Sequence, residues 1–157
     1  MKKSVWLHNI RSVYNVASVF RTADAGGIQH IYLSGYTPHP IDRFGRKRED
    51  FAKVALGAEE SVSWSFLQNP YTFFRERESS VVLIGVEQDE RAEDLFRFSL
   101  PPANEIVIVL GEETEGMDEE QRALCDTLVE IPMYGKKESL NVSVAFGVAV
   151  YCIFGRG

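Results

Sequence analysis

The chain is poor in residues that build covalent or metal-held frameworks: among 157 residues there are two cysteines and three histidines. Cys125 and Cys152 have no CxxC partner and no metal-ligand spacing, so two reduced, buried thiols are the simple reading and no metal is expected. Long apolar runs are also missing. The longest, Val142–Phe154, contains Ser143 and Gly147 and falls short of the roughly 20 residues that a membrane-spanning helix needs. The opening MKKSVWLHNIRS has two lysines but reaches His8 and Asn9 before a signal-peptide core has formed. A cytoplasmic protein with no membrane partner is expected. Repeats, low-complexity tracts and linker-like stretches are absent, which predicts one domain over 1–157.

Positive charge is in deficit, with 17 Lys and Arg against 23 Asp and Glu and a net charge of −6. That balance argues weakly against nucleic acid as a partner, because duplex binding draws on Lys and Arg to displace counterions. The distribution argues the other way. Arg43, Arg46, Lys47, Arg48 and Lys53 stand close together, while the acids gather in Glu87–Glu93 and Glu112–Glu120. Asp42, Glu49 and Asp50 interrupt the basic run, so it reads either as an RNA-facing surface or as a solvated loop of mixed charge.

What is present is an ordinary globular composition, 45% apolar and 25% charged. β-rich runs recur at Val5–Leu7, Ile31–Leu33, Val81–Val86, Ile106–Leu110 and Leu128–Ile131, separated mostly by segments of helical character. This alternation predicts an α/β fold with a mostly parallel sheet flanked by helices. Ile106–Leu110 is almost wholly aliphatic, as a central strand covered on both faces should be. Val13, Val16, Ala17 and Phe20 follow helical spacing, with Gly26-Gly27 as the stop. Asn69-Pro70 predicts a capped helix through about Glu78, and Asp118 with Gln121 resembles a capping box. Gly35–Arg48 reads as a long loop, of a length that is usually functional or mobile. The final helix, from Ser139 or Asn141 to about Phe154, is apolar nearly all round and needs cover on every side, from the core or from a second subunit.

Three segments could carry chemistry. In Asn9–Gly27, the polar Asn15, Ser18 and Arg21 sit among apolar residues around a strand end and the helix after it, a usual rim for ligands in α/β sheets. Arg21 there can clamp a phosphate with its planar fork, or form a plain surface ion pair. In Gly111-Glu112-Glu113-Thr114-Glu115-Gly116-Met117 the glycine spacing suggests a phosphate loop. However, Met117-Asp118 stands where Lys and Ser or Thr would be needed, and three glutamates would repel a triphosphate. They suit a cationic ligand such as the sulfonium and ammonium of S-adenosylmethionine; the alternative is an acidic turn shaped by its glycines. In Ile131–Ala145, a strand ends at Pro132, a polar loop follows, and Ser139-Leu140-Asn141 opens the apolar helix. An adenosyl group fits beside such a wall, although a Ser-x-Asn helix start is often only a cap.

In this order the three segments resemble the signature motifs of the SpoU (TrmH-type) class of the SPOUT superfamily of RNA methyltransferases, and Lys53-Val54-Ala55-Leu56-Gly57-Ala58 resembles a stretch common in its short members. The resemblance spans almost the whole chain. It implies a parallel α/β fold with a deep C-terminal trefoil knot, a homodimer with composite active sites, and methyl transfer from S-adenosylmethionine to a ribose 2′-hydroxyl of tRNA or rRNA, leaving S-adenosylhomocysteine. By motif position it implies Asn15, Arg21, Glu113, Ser139 and Asn141 as catalytic residues, and Val86, Gly111, Gly116, Ile131, Met133, Ser139 and Leu140 as the cofactor site. Arg11, Arg43, Arg46, Lys47, Arg48 and Lys53 are the RNA-binding candidates, used without an appended RNA-binding domain, with Lys136 and Lys137 nearby in the later loop.

An arginine stays protonated at any usable pH, so Arg21 is expected to hold the substrate phosphate near the reacting hydroxyl or to stabilise the forming alkoxide. Three rivals stand beside this reading: a noncatalytic RNA- or cofactor-binding protein, a methyltransferase of bases, and a nucleotide-phosphate enzyme.

Overall fold

The computed structural model describes residues 1–155. Seven strands form one sheet: β1 (Lys2–His8), β2 (His30–Ser34), β3 (Ser63–Leu67), β4 (Val81–Val86), β5 (Glu93–Asp94), β6 (Glu105–Leu110) and β7 (Thr127–Glu130). Their order is β3-β2-β1-β6-β4-β7-β5, and every strand pair is parallel. The helices are α1 (Val13–Ala25), α2 (Glu49–Ala55), α3 (Ala58–Ser61), α4 (Pro70–Arg75), α5 (Glu119–Leu124) and α6 (Val142–Phe154).

The two-residue period of the strands sends alternate side chains to opposite faces. Val5, Leu7, Ile31, Leu33, Ile106, Ile108 and Leu110 pack with Phe20 of α1, Phe51 of α2 and Phe146 of α6. Trp6, Tyr32, Val107 and Val109 pack on the other face with Phe74 of α4 and with Met117. β6 lies between β1 and β4 with side chains of helices packed over both its faces, and Ile106–Leu110 is apolar throughout for that reason.

Local signals set several boundaries. Ser12 caps α1 by accepting the Asn15 N–H at 3.2 Å, and Gly27 leaves the helix at φ 71°. Asp118 caps α5 through Gln121 N–H at 2.7 Å. The Gln121 amide, however, donates to the Leu110 carbonyl at 3.2 Å, so only half of a capping box forms.

The structure corrects the sequence reading elsewhere. β3 and β5 are strands that no apolar run announced: β3 is half-buried and mixed in polarity, and β5 has only two residues. Short helices α2 and α3 follow the long loop. The helix at Pro70 ends at Arg75 instead of near Glu78, and Asn69 makes no side-chain cap. The Arg77 guanidinium accounts for the early stop, since it donates to the carbonyls of Phe74, Val81 and Leu124. β7 stops before Ile131, and α6 begins at Val142 with Ser139 outside it.

Candidate functional site

The C-terminal ends of β4, β6 and β7 lie side by side, so the loops that leave them converge, as ligand-binding loops do in parallel sheets. Val86 at the end of β4 with Glu87 and Gln88 after it, Gly111–Gly116 after β6, and Ile131, Met133 and Glu138–Leu140 after β7 line a cavity of about 260 Å³. Val142 and Ala145 of α6 complete its apolar wall.

The loop after β6 is held from within. The Glu112 carboxylate accepts the Thr114 N–H at 3.0 Å, the Thr114 hydroxyl at 2.9 Å and the Glu115 N–H, and these donors hold it below the usual carboxylate range. Gly111 packs so closely that a Cβ would stand 2.4 Å from Met117 N. Gly116, at φ 73°, leaves room for the Glu87 carboxylate, which takes the Met117 N–H at 2.7 Å. Gln88 then ties β4 to β7 by donating to the Ile131 carbonyl at 2.8 Å.

Glu113 joins this loop to the start of α1. Its two carboxylate oxygens accept the backbone N–H groups of Arg11 at 3.1 Å and Ser12 at 3.0 Å. Asn141 joins α6 to α1: its amide donates to Asn15 Oδ1 at 3.2 Å, and its own oxygen caps α6 by accepting from Ser143 N at 3.0 Å. All three motif segments are thereby linked by side-chain hydrogen bonds.

The seven cofactor candidates, Val86, Gly111, Gly116, Ile131, Met133, Ser139 and Leu140, all line the cavity, as does Glu113. Asn15 and Asn141 are bonded to each other at the α1–α6 junction. Arg21 is not brought to the cavity; it is exposed on α1. Glu112, Thr114, Glu115, Glu138, Val142 and Ala145, which also line it, fall within the two segments read as cofactor-binding, although only the glutamates of the first had been pointed at a ligand; Glu87 and Gln88 were missed altogether. Glu87 and Gln88 were findable, since they directly follow a strand whose neighbours carry the other loops.

The basic candidates separate. Lys47 pairs with Glu60 at 3.1 Å and Glu59 at 3.6 Å, and Arg48 pairs with Asp50 at 2.9 Å. Lys53 is exposed on α2. Arg11 lies over the Tyr36 ring, 5.3 Å from its centre, at a second cavity that shares Glu112, Thr114, Glu115 and Gly116 with the first. Arg43 and Arg46 both stand over the Phe44 ring.

A hydrogen-bonded chain that the sequence did not foretell borders the second cavity. Trp6 Nε1 donates to Ser34 Oγ at 2.7 Å, which leaves the Ser34 hydroxyl free to donate to His8 Nδ1 at 2.7 Å. The imidazole proton then sits on Nε2, facing Tyr71 at 3.0 Å, and the Tyr71 hydroxyl donates to Asp118. Burial lowers the His8 pKa against the opposing pull of Asp118, and burial with the Asp118 bond raises that of Tyr71. Burial likewise pushes the Cys125 thiol up to about 12, which makes it a poor nucleophile; both cysteines are free thiols, but each is half-buried and not fully buried as expected. Among the described residues no group of His, Cys, Asp and Glu is arranged to hold a metal, and no helix is long and apolar enough to cross a membrane.

Residues 2–151 match the SpoU rRNA Methylase family. The chain is 37% identical over 145 residues to the 23S rRNA (guanosine-2′-O-)-methyltransferase RlmB of Ralstonia nicotianae, an alignment that covers 92% of this chain and 55% of that protein. It thus spans about half the length of the curated relatives it matches. Its fold superposes on the SpoU methyltransferase AviRb from Streptomyces viridochromogenes in complex with the cofactor AdoMet, with a TM-score of 0.77, 25% identity, and coverage of 95% of this chain and 58% of that one. An AdoMet-bound rRNA methyltransferase from Sinorhizobium meliloti has the same fold, with a TM-score of 0.84 at 22% identity, covering 96% and 55%.

Proposed function

The chain belongs to the SpoU rRNA methylase family and has the knotted, all-parallel α/β fold of that class, and from this premise we propose that it transfers a methyl group from S-adenosylmethionine to a ribose 2′-hydroxyl of RNA. The observation that carries the reading is that the second and third motif segments line one cavity, while Glu113 and Asn141 fasten them to the first, at Arg11, Ser12 and Asn15. The RlmB relatives make ribosomal RNA the favoured substrate class.

The cavity suits the cofactor by its own chemistry. Val86, Ile131, Met133, Leu140, Val142 and Ala145 offer an apolar slot in which adenine can be buried. Glu87, Glu112, Glu113, Glu115 and Glu138 surround it with carboxylates that favour a cation. A volume of about 260 Å³ is of the size of an adenosyl moiety. When bound, the cofactor supplies a methyl group activated by its positive sulfur.

The protein's part is to position and to stabilise. Glu113 fixes the loop ahead of α1, and the Asn15–Asn141 bond fixes α1 against α6. Both constraints restrict where a hydroxyl can approach. Arg21 supplies a permanent cation that holds the RNA phosphate and stabilises the developing alkoxide. It lies away from the cavity of its own chain, so the site is completed at a homodimer interface, where each protomer's Arg21 serves its partner's cavity. The apolar surface of α6, with Val144 51% and Tyr151 57% exposed, is the surface that such a dimer would cover.

The test is transfer of radiolabel from S-adenosylmethionine to ribosomal and transfer RNA, followed by nuclease digestion and mass spectrometry. Label on ribose is expected, and Arg21→Ala should lose at least a hundredfold in transfer while still binding the cofactor. Label on a base would overturn the ribose assignment. Absence of cofactor binding would overturn the reading as a whole.

A further inference from the structure

The loop after β2 ends in a small, ordered projection that the cavity chemistry does not use. Ile41 and Lys47 form an antiparallel bridge, Asp42 N donates to the Arg46 carbonyl at 2.8 Å, and Gly45, at φ 76°, turns the chain. The Asp42 carboxylate locks this turn: one oxygen accepts the N–H groups of Phe44 at 2.8 Å and Arg46 at 3.0 Å, the other accepts Arg46 Nε at 3.0 Å. These donors lower the Asp42 pKa, so the lock stays charged under ordinary conditions.

Phe44 stands at the tip, 67% exposed. The guanidinium carbons of Arg43 and Arg46 lie 4.9 and 5.0 Å from its ring centre. An exposed phenyl ring held in place by a turn has no role in the core, because its apolar surface stays in water. The two neighbouring guanidiniums are planar, positively charged groups that stack on bases as well as pair with phosphates.

Among the described residues Arg43 has no carboxylate partner, Arg46 is occupied at Nε by Asp42, and Lys47 and Arg48 are consumed by Glu59, Glu60 and Asp50. Lys53 stays exposed on α2, apart from the turn, so the turn itself presents one aromatic flanked by two arginines. That is too little charge to track a duplex backbone, but it suits stacking against unpaired bases.

We propose that the Asp42–Lys47 turn is a stacking finger for single-stranded RNA, with Phe44, Arg43 and Arg46 as its contacts. The proposal rests on the reading that the chain acts on RNA, and it narrows the substrate to an unpaired segment such as a loop or bulge. Asp42 and Gly45 are positioning residues for the finger.

The test uses the full chain with a fluorescein-labelled single-stranded 12-nucleotide RNA and a duplex of the same composition, read by anisotropy over a salt series. The single strand should bind more tightly than the duplex. Phe44→Ala should weaken single-strand binding about tenfold, Phe44→Trp should restore it, and Arg43→Gln should lower the salt slope by about one. Calorimetric affinity for S-adenosylmethionine should be unchanged in all three variants, since the finger lines a separate hollow from the cofactor cavity. Equal binding by wild type and Phe44→Ala, equal preference for duplex, or no binding of either RNA would each overturn the finger. Loss of cofactor binding by the wild type would overturn the methyltransferase reading and leave the finger standing if the Phe44 dependence persists.

Discussion

Glu113 shows how a single side chain can matter to a site without standing at the reacting atoms. It reaches from the loop after β6 to two backbone N–H groups ahead of α1, a link across about a hundred residues of sequence. Glu113→Ala leaves those donors to water. A loss of about 1–2 kcal/mol in stability is expected, at the low end for bonds to charged groups because one of the two is exposed and the other only part-buried. Glu113→Gln, which keeps one acceptor, should lose less. Guanidinium denaturation of the two variants checks this ordering, and wild-type stability in Glu113→Ala would show that the link carries nothing. The importance of Glu113 was legible from the Gly111–Gly116 motif, but its partners were not, because nothing in local spacing brings Arg11 and Ser12 to it.

Two elements set the geometry of the cavity: the loop after β6 and helix α6. In the loop, Gly111 has no space for a side chain, since its virtual Cβ meets backbone atoms of Gly116 and Met117. Gly111→Ala must open the loop, and the backbone it strikes cannot rotate away as a side chain could. The expected result is at least a tenfold loss of S-adenosylmethionine affinity with a stability cost of about 1–3 kcal/mol, measurable by calorimetry and thermal melting. An unchanged affinity would mean that the loop does not shape the cofactor site.

Helix α6 is a different case. Its buried residues Phe146, Ala149, Val150 and Ile153 face the core, while Val144 and Tyr151 face solvent. Val144→Glu and Tyr151→Glu should give a monomer by light scattering with the fold retained, whereas a wild type that is already monomeric would remove the composite-site proposal. The apolar character of α6 was plain in the sequence. Which part of it lay uncovered depended on α1 and β6 packing against the rest.

For the molecule as a whole, acid should be destabilising well before the carboxylates titrate. All three histidines, His8, His30 and His39, have pKa values lowered in the fold, each chiefly by burial. The unfolded chain therefore binds protons near pH 6.5 that the folded chain refuses until lower pH. This contribution is intact above about 6.5 and is lost as pH falls through the lowered values. Asp42, Asp50, Asp89 and Glu112, all lowered by hydrogen bonds or ion pairs, add a second loss at more acidic pH. The urea midpoint should fall steadily from pH 7 to pH 5, and His8→Gln should flatten that slope. A midpoint that is flat or rises on acidification would contradict the burial of these rings.

The sequence by itself determined the class of fold, because an aliphatic run such as Ile106–Leu110 can satisfy its neighbours only inside a covered parallel sheet. It also determined most of the cavity lining, because chemistry concentrated at strand ends leaves short, polar, glycine-bounded motifs. Only the tertiary structure decided that Lys47 is paired, since its partners Glu59 and Glu60 are on α3, whereas Arg48 pairs locally with Asp50 at the start of α2. It alone decided that Arg21 does not line its own chain's cavity and that His8, Tyr71 and Asp118 form one chain of hydrogen bonds. The physical reason is range. Burial and period act within a few residues and can be read in order, whereas a hydrogen bond or an ion pair depends on which distant segment the fold delivers.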